Sequence, residues 1–215
     1  GSVMLPRVSN LLSLGNQKAV NKLHEMSFLV YNLVIFPMIA GILIVNKDFV
    51  NFFLGQDFQD ARYAIAIMVF RMFFIGWTNI MGIQILIPHN KNREFMLSTT
   101  IPAVFSVGLN LLLIPPLGYI GASIVSVATE GLVWLIQLYF TRSYLKEVKI
   151  FPSMLKILLA ALLMYGALYS AQAFMHFSSV VNVLIYSLLG FLVYGGLVLV
   201  LRVLDFQELK SVLKK

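Results

Sequence analysis

Two charged residues stand where a charge is expensive. Arg71 lies nine residues into one apolar segment, counted from Arg62, and Glu130 lies eleven into another, counted from Tyr119. At about 1.5 Å per helical residue both sit roughly 15 Å deep, near the middle of a hydrocarbon layer about 30 Å thick. A charge there costs at least about 2.5 kcal/mol on insertion scales, so each must face protein or water. The neighbours agree. Arg71, Thr78, Asn79 and Gly82 share one side of their helix, and Ser123, Ser126, Glu130 and Gln137 share one side of theirs. Arg71 offers a planar fork of donors suited to a phosphate or another anionic group, and Glu130 a carboxylate for a proton or a cation. The candidate substrate-binding set is therefore Arg71, Asn79, Glu130 and Gln137. A second reading stands beside it: the two charges neutralise each other between helices and fix packing. The readings are compatible, since a pair can open during transport.

Other chemistry is poorly supplied. The chain has no cysteine, which removes disulfides, thiolates and cysteine-bound metals together. His24, His89 and His176 lack metal-ligand spacing, so neither a metal nor any other cofactor is expected. No nucleophile–base pair, phosphate-binding loop or catalytic carboxylate pair is present, which argues against an enzyme. The net charge of +7 raises nucleic acid as a partner, but the basic residues lie between apolar segments instead of along one face, so none is expected.

The elements that position these residues are membrane spans. Of 215 residues, 60% are hydrophobic and 12% charged, about half the charge of an average soluble domain. The fold class is an all-α integral membrane protein with about six transmembrane helices. Residues 1–27 are basic with interleaved apolar positions and read as an interfacial segment. Within 28–141 lie four spans: 28–45 with a kinking Pro37, 62–88, 95–114 and 119–140, the last two separated by Pro115-Pro116-Leu117-Gly118. Residues 46–61 read as an interfacial connector and 142–155 as a basic one. Residues 156–201 hold two further spans divided near His176, and 202–215 form a polar tail.

Orientation follows from charge. Arg7, Lys18, Lys22, Lys91, Arg93, Arg142, Lys146, Lys149, Lys156, Arg202, Lys210, Lys214 and Lys215 fall on one side, and only Lys47 and Arg62 on the other. The positive-inside rule then puts both termini in the cytoplasm of a multi-pass membrane protein. The opening Gly1-Ser2-Val3-Met4-Leu5-Pro6 lacks a signal peptide's basic and apolar regions, and Val3-Met4-Leu5 reads as the end of an upstream helix.

A family resemblance rests on a series of short matches. Val3-Met4-Leu5-Pro6-Arg7-Val8-Ser9, Pro37, Phe53-Leu54-Gly55-Gln56-Asp57-Phe58 with Ala61, and Gln84-Ile85-Leu86-Ile87-Pro88 with Asn90-Lys91 begin it. Asn110 to Pro115, Gly118 to Ala122 and Glu130 complete it. In this order the chain resembles the C-terminal part of bacterial polysaccharide (O-antigen or capsule) repeat-unit flippases, Wzx-type, of the MATE-like (MOP) exporter superfamily. The resemblance implies part of a MOP-type C-terminal lobe plus two appended helices. It also implies transport of an undecaprenyl-pyrophosphate-linked oligosaccharide between leaflets, in contact with membrane lipids, with cationic residues of a central cavity receiving the pyrophosphate. Such transporters have two lobes, so the chain is expected to be a C-terminal fragment whose partner is the missing N-terminal lobe. A cation-coupled multidrug or metabolite exporter of the same superfamily, and a non-transporting membrane scaffold, are the alternatives.

Overall fold

The computed structural model describes residues 4–174 and 177–203, and every regular element within them is helical. In order these are α1 (Met4–Ser13), α2 (Gln17–Phe53), α3 (Ala61–Met68), α4 (Arg71–Asn79), α5 (Asn92–Thr141), α6 (Phe151–Gln172) and α7 (Ser179–Val200). A 3-10 turn, Gln56–Phe58, precedes α3, and a π-helix, Ile80–Leu86, prolongs α4. Gly1, Ser2, Val3, His176 and the polar tail from 204 onward, with Lys210, Lys214 and Lys215, lie outside the described residues.

The N-terminal segment is helical, in two helices of which the second continues into the first span. Gly15, at φ 67°, closes α1 by donating to the Leu12 carbonyl, while Asn16 N–H reaches the Leu11 carbonyl. That paired closure needs a residue in the left-handed region, which glycine adopts without strain. Asn16 then caps α2, its side-chain oxygen accepting the Ala19 N–H at 3.1 Å. From there α2 runs unbroken to Phe53, through the expected boundaries at 27 and 45.

Five helical stretches among the described residues are long and apolar enough to cross a membrane. One of them, α5, has 50 residues and would extend about 75 Å if straight, more than twice the hydrocarbon thickness. It is not straight. Pro115 and Pro116 withhold two helix donors, and Gly118 breaks the backbone at φ 54°, ψ −131°. The arms 92–117 and 119–141 then fold back on each other, since Gln137 Nε2 donates to Ser98 Oγ at 3.2 Å. At Gly121 a Cβ would overlap the Leu113 carbonyl, so only glycine admits this approach. With α5 counted as two spans, the described residues are those of a multi-pass, all-helical membrane protein with six.

Packing divides the chain into two units. One joins the residues up to Tyr31 with Asp60–Ile150, and the other joins Asn32–Gln59 with the residues from Phe151 onward. In the first, Val8 of α1 is buried with Val20 and Leu23 of α2. Trp77 of α4 lies 4.7 Å from Phe28 and 6.2 Å from Trp134 of α5, ring centre to ring centre, so aromatic contacts knit three helices. In the second, Ala40 and Ile44 of α2 pack with Met164 and Leu168 of α6 and with Tyr186 of α7. Pro37 cannot donate to the Leu33 carbonyl one turn back, and Tyr194 of α7 supplies that hydrogen bond at 2.8 Å. The donor that Pro37 lacks is thus replaced from a neighbouring helix. Close packing is met at Gly190, where a Cβ would lie 3.3 Å from Leu168, whereas Gly195 and Gly196 face open space.

A candidate substrate-binding site

The four candidate residues all belong to the first unit, and the structure places them in three settings. Arg71 and Glu130 are paired. Arg71 Nη2 and Nε reach Glu130 Oε1 at 2.9 and 3.3 Å. Both contacts fall on one carboxylate oxygen, and the side chains keep 37% and 20% of their surface exposed. The pairing reading therefore describes this conformation, in a form that leaves both groups reachable.

Backbone irregularity sets the position of Arg71. Between α3 and α4 the chain tightens, with Phe70, Met72 and Phe73 N–H groups bonding three residues back instead of four. Arg71 opens α4 immediately within that tight turn. Tyr31 of α2 holds the turn from outside by donating its hydroxyl to the Met72 carbonyl. Its ring lies flat against Gly76, where any Cβ would overlap it.

Gln137 occupies a buried knot. It is 1% exposed, bonded to Ser98, and packed against Gly82, where a Cβ would meet Gln137 Nε2 at 3.1 Å and the Phe95 ring at 2.5 Å. Its Oε1 is buried with no protein partner among the described residues. The polar side of the span at 119–140 is thus a seam: Glu130 faces Arg71, while Gln137 meets Ser98 within the α5 hairpin.

Asn79 stands apart. At 100° per residue it lies about 80° from Arg71 around the helix, whereas Thr78 and Gly82 stay within about 20°. It is exposed and lines an open cavity of about 500 Å³ with Met26, Ser27, Tyr31, Ile75 and Gln84. Eight residues separate it from Arg71, or about 12 Å along the axis. The lining is mainly apolar, with amide and hydroxyl groups and no charge.

The π-helix and its support were not anticipated. Gln84 sits four residues before Pro88, which has no N–H, so its carbonyl has no ordinary helix donor. His24 of α2 takes that place, with Nε2 3.2 Å from the Gln84 carbonyl, and Ser27 donates to Gln84 Oε1 at 2.8 Å. Pro88 was visible in sequence; that His24 answers it required the fold. Beyond the span, Lys91 and Glu94 pair at 3.0 Å. The hydrogen bond, then the charge attraction, hold the Lys91 ammonium above its usual range, and the same bond holds the Glu94 carboxyl below its own.

Comparison with known proteins places this geometry in context. A family model described as "Lipid II flippase MurJ" matches residues 1–191. An uncharacterized membrane protein of Methanocaldococcus jannaschii is 24% identical over 100% of the chain and 42% of its own length. A probable low-salt glycan biosynthesis flippase of Haloferax volcanii is 21% identical over 99% of the chain and 45% of its own. A putative O-antigen transporter of Escherichia coli K12 is 32% identical over 64% of the chain and 33% of its own. The chain thus spans less than half the length of these curated relatives. No solved structure matches it.

Proposed function

We propose a function from one premise: the chain belongs to the lipid II flippase MurJ family. It is part of a flippase that moves lipid-linked glycan across a membrane, and not an enzyme. In its finer form the substrate is an undecaprenyl-pyrophosphate-linked oligosaccharide repeat unit, and the assembly is a Wzx-type, MATE-like transporter of the bacterial cytoplasmic membrane. This chain supplies a C-terminal portion with both termini cytoplasmic, and an N-terminal lobe completes the transport cavity.

The observation that carries the reading is the half-exposed Arg71–Glu130 pair in mid-span. Arg71 engages Glu130 through Nε and Nη2, so Nη1 takes no part in the pair. A diphosphate approaching from the exposed side meets those donors and competes for the guanidinium with two anionic groups against one. Glu130, released, takes a proton or a cation and does not remain bare in a low-dielectric seam. Asn79, about 12 Å along the helix on a roomy and uncharged surface, suits sugar hydroxyls better than phosphate. Gln137, buried and bonded, positions the α5 hairpin and takes no substrate.

Complementation tests this. Cells lacking their own flippase accumulate lipid-linked units on the inner leaflet, and the parent gene is expected to clear them. Arg71→Ala at equal expression is expected to restore little clearance, and the 215-residue chain alone none. Failure of the parent against several repeat units would overturn the flippase reading.

A further inference from the structure

Three segments far apart in sequence meet at one end of the first unit. Asn21 Nδ2 of α2 donates to Glu147 Oε2 at 2.9 Å, and the Lys149 N–H donates to Glu25 Oε1 at 2.9 Å. The His89 ring lies 4.1 Å from that of Tyr144. These contacts bring residues 17–25, 87–94 and 142–149 together. They hold seven basic residues (Lys18, Lys22, Lys91, Arg93, Arg142, Lys146, Lys149) against three acids, Glu25, Glu94 and Glu147. Each acid already has a protein partner: Lys22 and the Lys149 backbone for Glu25, Lys91 for Glu94, and Asn21 for Glu147. Lys18, Arg93, Arg142 and Lys146 are exposed, and Arg142 lies over the Tyr139 ring at 4.4 Å. The opposite end differs. There Tyr119, beside the uncharged Pro115–Gly118 break, meets the Asp60 carbonyl at 3.3 Å, and the adjoining charges are Asp60 and Arg62, which cancel.

We propose that this convergence is a binding rim for anionic phospholipid headgroups, with Arg93, Arg142 and Lys146 as its principal contacts. The rim lies where spans leave the hydrocarbon, at the depth of lipid phosphates. Its acids are occupied, so the remaining cations face outward without internal compensation. An arginine resting on a tyrosine ring is the interfacial arrangement in which an aromatic sits at headgroup level and a cation reaches the phosphate. Basic residues beside a membrane attract anionic lipid, each by a factor of about five at physiological salt. The inference is independent of the transport reading.

The test uses the full chain in detergent, with native mass spectrometry counting retained phosphatidylglycerol against phosphatidylcholine. Wild type is expected to prefer phosphatidylglycerol. The triple variant Arg93→Gln/Arg142→Gln/Lys146→Gln is expected to lower that preference at least tenfold, and the charge-keeping Arg93→Lys/Arg142→Lys/Lys146→Arg to retain most of it. Arg62→Gln, at the other end, is expected to leave it unchanged. Equal retention of both lipids by wild type, or unchanged preference in the triple variant, overturns the proposal. So does loss of preference in the charge-keeping variant, which would show that the cations themselves do not hold the lipid. Full displacement of phosphatidylglycerol by equimolar undecaprenyl pyrophosphate also overturns it, and would assign the rim to the transported lipid.

Discussion

Replacing the mid-span charges one at a time and together separates a strut from a binding group. The gross attraction between unit charges about 4 Å apart is about 4 kcal/mol at an effective dielectric constant of 20. Arg71 and Glu130 keep 37% and 20% of their surface, so screening reduces that figure. Fully exposed pairs are worth about 0.2–1 kcal/mol, and breaking a fully buried one costs about 3–5 kcal/mol. This pair falls between, and its coupling energy is expected near 1–2 kcal/mol. Arg71→Gln and Glu130→Gln should each destabilise the protein, and the double variant should lose less than the sum of the two single effects. Equilibrium unfolding in mixed micelles measures this, and transport of lipid-linked units in cells is scored in parallel. If Arg71 receives the diphosphate, the double variant regains stability without regaining transport. If the pair is only a strut, stability and transport return together. Coupling below about 0.3 kcal/mol would refute the strut reading, since the pair would then add no more than an exposed surface contact.

Other positions give sharp contrasts. Tyr194→Phe removes the donor that answers the Leu33 carbonyl beside Pro37, and is expected to cost about 1–2 kcal/mol in thermal or denaturant unfolding. His24→Phe likewise strips the Gln84 carbonyl, with a similar cost, and hydrogen exchange around residues 80–90 should rise; unchanged exchange would remove His24 from the support of the π-helix. Gly121→Ala drives a methyl into the Leu113 carbonyl and should destabilise by about 1–3 kcal/mol, whereas Gly195→Ala meets open space and should be neutral or stabilising by about 0.5–1 kcal/mol. Orientation is read by a single cysteine at position 178, expected to react with an impermeant maleimide from the outer side; reaction only from the inner side would reverse the topology.

Span number was legible because uncharged length and proline–glycine breaks are local properties of the chain. The Pro115–Gly118 break divided α5 as its residues required, although helical hydrogen bonding runs on around it. The candidate site was only half legible. Equal depth and shared polar faces were enough to bring Arg71 and Glu130 together, because depth depends on residue count alone. The same reasoning grouped Asn79 and Gln137 with them, and packing sent one to an open cavity and the other to a buried knot. Helical angle explains Asn79, which lies about 80° off the seam. Gln137 depends on a partner, Ser98, 39 residues away, and no local pattern carries that information. The extent of α2 was missed for a related reason. Charge marks where a helix leaves hydrocarbon, but helical hydrogen bonding continues through the interface at no penalty.

Prolines show most clearly how a membrane protein keeps its accounts. A proline inside a helix or just past its end takes a donor from a carbonyl one turn earlier, and in hydrocarbon no water replaces it. Pro37 and Pro88 are both answered by a side chain from another helix, Tyr194 for Leu33 and His24 for Gln84. The sequence position of each proline therefore predicts which carbonyl needs a partner, though not who provides it. In both cases the donor sits on a different helix, which makes the bond a contact between helices as well as a repair within one. If these helices shift during transport, the carbonyl loses its donor when the helix carrying the donor withdraws. The bent conformations are then stabilised only while the partners stay docked. Tyr194→Phe should accordingly make the Pro37 region similar in hydrogen exchange whether or not substrate is present, while wild type should differ between the two conditions. An identical substrate response in both proteins would leave Tyr194 as a static patch and end this coupling argument.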